Sequence, residues 1–150
     1  MASRGPRSRD PPSDRYKTKT VRVISPTQTG SLHADCFTQG LVHHEDYLLE
    51  SCGLFGKSKI QKVDPTTGAV LASRHLPAEI FAEGLVVVGR FAYLLTWKNE
   101  LIYVFDVESL DVVKTMPLIS SNKEGWGLTF DGQHLVVSDG SHILTYLAIR

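Results

Sequence analysis

Short runs rich in apolar and β-branched residues alternate with polar turn signals from residue 40 onward, and each run reads as a strand. Residues 40–44 and 47–51 are two such runs, joined by the polar turn at Glu45 and Asp46. A third covers 59–63, followed by Asp64-Pro65-Thr66-Thr67-Gly68, a strong turn signal, and a fourth covers 70–76. The plan then repeats with strands at 85–88, 92–97, 101–105 and 112–116, the last two separated by a turn at 106–110. A third round supplies 128–130, 135–138 and 143–149, and the chain stops where a fourth strand is due.

The repetition has a fixed register. Gln39-Gly40-Leu41, Glu83-Gly84-Leu85 and Trp126-Gly127-Leu128 stand 44 and then 43 residues apart, each with a different side chain before the Gly-Leu pair. A period of this size with four antiparallel strands per unit is the plan of a β-propeller blade. In a radial array equivalent positions point to equivalent places, so Gln39, Glu83 and Trp126 are expected near one axis. The fold expected is therefore all-β, a partial β-propeller of about three blades over residues 21–150. Residues 20–25 resemble 70–76 and 112–116 in position and character, which makes them an outer strand of another blade. Propellers usually close with four or more blades. Residues 37–150 therefore read as part of a longer protein or as a shortened form, and an open array leaves strand edges uncovered.

Composition restricts the partners. Lys+Arg and Asp+Glu balance at 16 each, so no net charge argues for nucleic acid or an anionic membrane surface. No run approaches the roughly 20 apolar residues of a membrane-spanning helix. Residues 1–20 lack the apolar core of a secretory signal and mix Arg4, Arg7, Arg9, Arg15, Lys17 and Lys19 with Pro6, Pro11 and Pro12. Such a segment cannot bury enough apolar surface to offset its ordering entropy and is read as a disordered basic tail. Cys36 and Cys52 are either small core residues or one bridge near the first repeat; the sequence leaves both open. His33, Asp35, Cys36, His43, His44 and Asp46 include metal-ligand types, but their spacing matches no zinc pattern. The plainer expectation is that His43 and His44 begin a turn with Cys36 packed beneath it.

Five motifs occur in an order that resembles a known family: Phe37-Thr38-Gln39-Gly40-Leu41, residues 50–56 (Glu-Ser-Cys-Gly-Leu-Phe-Gly), Phe81-Ala82-Glu83-Gly84-Leu85, Gly125-Trp126-Gly127-Leu128 and Ser138-Asp139-Gly140-Ser141. They are similar to the plant and bacterial type of glutaminyl-peptide cyclotransferase, or glutamine cyclotransferase, from about Val21 to Arg150. The resemblance implies a five-bladed propeller that converts the amino-terminal glutamine of peptides or proteins to pyroglutamate with release of ammonia. It implies no catalytic metal or other cofactor. Members are commonly secreted or lumenal, whereas this sequence shows no signal, so the compartment stays open. The family's later blades add an asparagine, a tryptophan and a lysine to the pocket, for which these 150 residues have no counterpart.

Cyclisation needs a proton removed from the attacking α-amine and another delivered to departing ammonia, and one carboxyl group within hydrogen-bond reach can do both. Glu83 is the acidic residue in the Gly-Leu register and by resemblance matches the family's catalytic glutamate. Read from the residues alone, the preferred reading is a carboxylate accepting backbone N–H bonds at a channel mouth. Gln39, in the equivalent slot, is similar to a residue that hydrogen-bonds substrate; its amide offers both donor and acceptor. Phe37, Phe81, Trp97 and Trp126 resemble the aromatic lining that packs the glutamine stem. Phe37 and Phe81 are alternatively core residues between blades, and Trp97 is placed at a strand end. The competing function is that of a catalytically inactive propeller fragment that binds a protein or peptide.

Overall fold

The computed structural model describes residues 35–149, so the basic tail over 1–20 and the strand expected at 20–25 lie outside the described residues. Within them the chain forms β1 (Phe37–His44), β2 (Tyr47–Gly53), β3 (Lys59–Val63), β4 (Val70–His75), β5 (Ala82–Val88), β6 (Phe91–Thr96), β7 (Leu101–Asp106), β8 (Val112–Pro117), β9 (Leu128–Phe130), β10 (His134–Ser138) and β11 (Leu144–Ala148). These make three antiparallel sheets with strand orders β1-β2-β3-β4, β5-β6-β7-β8 and β11-β10-β9. Each sheet is a sequential meander, as in a propeller blade, and the third has three strands. Among the described residues no helix is long and apolar enough to cross a membrane.

The eleven strands expected within the described residues are all present, with shifted ends. β1 begins at Phe37 and β5 at Ala82, three residues before the expected starts. In both the pairing register shifts, between Thr38 and Gly40 in β1 and between Ala82 and Leu85 in β5. A bulge adds residues to one strand, bends it and re-aims its side chains. It also breaks the apolar alternation by which a strand start is recognised in sequence. Gln39 and Glu83 both sit inside these bulges.

The second sheet explains the run of apolar residues in β6 and β7. Ala92, Leu94, Tyr103 and Phe105 pack against Tyr47, Leu49 and Ile60 of the first sheet. Tyr93, Leu95, Ile102 and Val104 pack against Leu135 and Val137 of the third. A strand covered on both faces needs no polar alternation, and every one of these residues is buried. The outer strands β4 and β8 are largely exposed.

Asp64 and Asp106 each organise the turn into the outer strand. The Asp64 Oδ1 accepts the Thr66 and Thr67 amides at 2.8 and 2.7 Å, and the Asp106 Oδ1 accepts those of Glu108 and Ser109 at 2.9 and 3.2 Å. Four residues beyond each aspartate the backbone turns left-handed, at Gly68 (φ 73°) in the first case and Leu110 (φ 59°) in the second. Leucine in that conformation costs about 1–2 kcal/mol. Leu110 is buried in the core between the first two sheets, which returns about as much.

Cys36 and Cys52 are joined in a disulfide, resolving the alternatives left by the sequence. The bond fastens the residue before β1 to the far end of β2. The expected turn with Cys36 beneath it is therefore corrected: His43 and His44 end β1, the turn is Glu45 and Asp46, and Cys36 lies beyond the opposite end of the strand.

Candidate active site

The register glycines decide how the sheets meet. A Cβ on Gly40 would lie 2.7 Å from the Leu85 amide nitrogen, and one on Gly84 would lie 2.4 Å from the Trp126 carbonyl oxygen. Each Gly therefore abuts the backbone of the next repeat, and the residue ahead of it in the bulge is left to line a pocket.

Phe37, Gln39, Phe81, Glu83, Trp97 and Trp126 line one open pocket of about 260 Å³. All six residues singled out from the sequence are thus brought together, from three successive repeats of the chain. A larger apolar groove of about 510 Å³ lies elsewhere, lined by Val88, Phe91, Tyr93 and neighbours, and contains none of the candidate residues.

Main-chain hydrogen bonds fix the pocket's frame. The Trp97 amide donates to the Phe81 carbonyl at 3.0 Å, the Gly125 amide to the Trp97 carbonyl at 3.0 Å, and the Gly84 amide to the Trp126 carbonyl at 2.8 Å. The Trp126 amide donates to Ser138 O at 2.9 Å. The Ser51 hydroxyl of β2 donates to the Glu83 carbonyl at 2.6 Å, tying the first sheet to the bulge that carries Glu83. Phe37 and Trp97 both meet Phe81 edge to face, with centroids 6.5 and 5.6 Å away. Phe37 is 54% exposed and so is not a core residue between blades, Phe81 is half-buried, and Trp126 is 48% exposed. Trp97 directly follows β6, at the strand end where it was expected.

Glu83 is partly buried, and burial pushes its carboxyl up to about 7, with repulsion from the Glu124 carboxylate adding to the effect. Glu124 is held below the usual carboxylate range, first by the Trp126 indole N–H and then by that of Trp97. Two neighbouring carboxyls are thus driven apart by their surroundings, one toward carrying a proton at neutral pH and one toward staying ionised.

Four contributors were not singled out from the sequence. Glu124 Oε2 accepts the Trp97 and Trp126 indole N–H groups at 2.9 and 2.8 Å. The exposed Phe55 ring stands 5.4 Å from Phe81 and 6.4 Å from Trp97. Ser51 supports Glu83 as described. Asp139 binds the loop opposite it, accepting the Ser121 hydroxyl at 2.6 Å and the Asn122 amide at 2.8 Å on one oxygen, and the Ser141 amide and hydroxyl at 3.1 and 2.6 Å on the other. These bonds, led by those from the Ser121 and Ser141 hydroxyls, hold Asp139 strongly ionised. Of the four, Ser51, Phe55 and Asp139 lie within the motifs that carry the resemblance, and Glu124 stands immediately before one.

Among the described residues, Cys36, Glu50 and Cys52 form a group close enough to share a metal ion. Both sulfurs are committed to the disulfide, so the group lacks the thiolates such a site would use.

A family model described as glutamine cyclotransferase matches residues 3–148. This chain belongs to the glutamine cyclotransferase family. A curated Arabidopsis thaliana protein named glutaminyl-peptide cyclotransferase is 40% identical over 111 residues, which are 73% of this chain and 34% of that protein. The crystal structure of Myxococcus xanthus glutaminyl cyclase superposes with a TM-score of 0.65 at 31% identity, covering 75% of this chain and 46% of that one. A computationally designed protein, Ika4, matches with a TM-score of 0.54 over 81% of this chain and 96% of its own, at 9% identity, and so shares the fold alone. The chain spans about a third of the Arabidopsis protein and about half of the Myxococcus one. The three antiparallel sheets described here match part of the glutaminyl cyclase fold.

Proposed function

We propose that this pocket cyclises the amino-terminal glutamine of peptides or proteins to pyroglutamate, with Glu83 moving the proton. The observation that carries the reading is a partly buried carboxyl at about 7 in a pocket walled by four aromatic rings and one neutral amide. The aromatic rings pack the glutamine stem and exclude water, and the Gln39 amide accepts from the amine or donates to the side-chain carbonyl. The substrate's α-amine titrates near about 7.7–8.0, so it and Glu83 are closely matched and proton transfer between them costs little.

The α-amine nitrogen attacks the side-chain amide carbon, forming the ring C–N bond while the carbonyl π electrons move onto oxygen. Glu83 takes the proton from the attacking nitrogen. The carbonyl then re-forms, the bond to the amide nitrogen breaks, and Glu83 returns its proton to that nitrogen, which leaves as ammonia. Glu83 ends as it began, and one carboxyl group performs both transfers.

Ammonia release from a Gln-initiated peptide, in a coupled assay, tests the reading. The full-length protein containing this segment is expected to release ammonia, and Glu83→Gln is expected to lower turnover by roughly 10²-fold or more with little change in substrate binding. An undiminished rate in the variant would remove Glu83 from the mechanism. No ammonia from the parent would favour a peptide-binding module.

A further inference from the structure

The two indole N–H groups of the pocket come from separate segments, the residue after β6 and the stretch leading into β9, and converge on one oxygen atom, Glu124 Oε2, at 2.9 and 2.8 Å. An indole can only donate, and a carboxylate oxygen has the lone pairs to accept both, so a single residue satisfies the two rings together. Bonds to an ionised acceptor are stronger than neutral ones. Glu124 is itself fixed. Its carbonyl accepts the Ser120 hydroxyl at 2.8 Å, the following amide of Gly125 donates to the Trp97 carbonyl at 3.0 Å, and Lys98 Nζ stands 3.9 Å from Oε1. Lys98 also lies over the Trp97 ring, 4.1 Å from its centroid, and closes the cluster on the outside.

We propose that Glu124 is a positioning residue of this pocket: it clamps Trp97 and Trp126 into one wall and sets its fixed negative charge toward Glu83. The proposal rests on the cyclisation reading for its kinetic consequence only. The charged groups around the clamp are Lys98 after β6, Asp139 after β10 and Glu83 in β5, and they act differently. Lys98 and the two indoles favour the ionised Glu124, whereas Asp139 opposes it. Glu83 is the group that keeps its proton in return, because burial already disfavours its charge. Removing the Glu124 charge is then expected to let Glu83 ionise at lower pH, and removing the side chain is expected to free both rings.

Nuclear magnetic resonance of the 150-residue chain tests the clamp without any turnover. Trp97 and Trp126 are its two tryptophans, so two indole N–H signals report on the two bonds. Glu124→Ala is expected to move both signals and speed their exchange with solvent. Glu124→Gln, which keeps an acceptor and the shape, is expected to move both by less and guards against a misfolded alanine variant. If either indole signal stays in place in both variants, the shared clamp is overturned. The Glu83 carboxyl, followed by carbon-13 labelling, is expected to titrate at lower pH in Glu124→Gln; an unchanged titration overturns the electrostatic half. In the full-length protein Glu124→Ala is expected to raise KM roughly tenfold, the equivalent of one charge-assisted hydrogen bond, while Glu124→Gln largely restores KM. Equal KM in the parent and both variants would also sink the proposal. A Glu83→Gln variant with undiminished ammonia release would instead sink the cyclisation reading while leaving the indole signals to decide the clamp.

Discussion

The Gly84 amide donates to the Trp126 carbonyl at 2.8 Å, and a Cβ placed on Gly84 would sit 2.4 Å from that same oxygen. The contact joins the second and third repeats at their registers and is closed to every residue but glycine. The repeated Gly-Leu pair is thus a packing requirement between neighbouring sheets, and the residue ahead of it is left available for chemistry.

Gly84→Ala is therefore expected to destabilise the fold. The opposing atoms are backbone and cannot rotate away, so the cost belongs with overpacking, about 1–3 kcal/mol. The urea unfolding midpoint measures it. A midpoint equal to that of the parent would show that the second and third sheets can separate without penalty.

Gly140 makes a comparable demand from beneath the pocket. Its φ is +78°, and a Cβ there would lie 2.9 Å from Trp126 Cζ2. Gly140→Ala is expected to displace the indole and strain the turn, shifting the Trp126 fluorescence and raising KM for a Gln-initiated peptide. Unaltered emission and KM would show that the ring has room to spare.

Much of this architecture could be read from the chain. Gln39, Glu83 and Trp126 were legible because repetition marks equivalent positions before anything is known of their surroundings. The strand starts at Phe37 and Ala82 were not, because the bulges at Gln39 and Glu83 interrupt the alternation that marks a strand. Glu124 escaped for a different reason: its meaning comes from an indole 27 residues away, across a sheet boundary. Ser51 and Glu83, 32 residues apart, are joined in the same way. Local pattern carries the scaffold and its slots, whereas the supports behind the slots exist only once sheets from separate repeats are face to face.

Stability should carry the signature of Glu83. Burial raises its carboxyl from 4.5 to about 7, so between those values the folded chain holds a proton that the unfolded chain has lost. The contribution is fully present below about 4.5 and is lost as pH rises through about 7. Glu83→Gln removes this dependence, and the variant is expected to gain stability relative to the parent on going from pH 4 to pH 8. Paired urea titrations across that range measure the difference, and parallel curves would mean that Glu83 titrates as an ordinary surface carboxyl.

Gln39 and Glu83 occupy equivalent slots, yet their variants should separate in kinetics. Gln39 offers a neutral donor and acceptor to groups that are present in the bound substrate and in the transition state alike. Its loss removes binding common to both, so Gln39→Ala is expected to raise KM about tenfold with a smaller change in kcat. Glu83 acts on a proton that moves only during reaction, so its loss falls on kcat. The pH profile should divide them as well. The Gln39 variant keeps the limb of kcat that rises through about 7 as Glu83 becomes able to accept a proton, whereas Glu83→Gln lacks it. Steady-state ammonia release between pH 5 and pH 9 provides both measurements. A Gln39→Ala enzyme that had lost kcat and the rising limb while keeping KM would place the proton chemistry on Gln39's side of the pocket and overturn the division of roles.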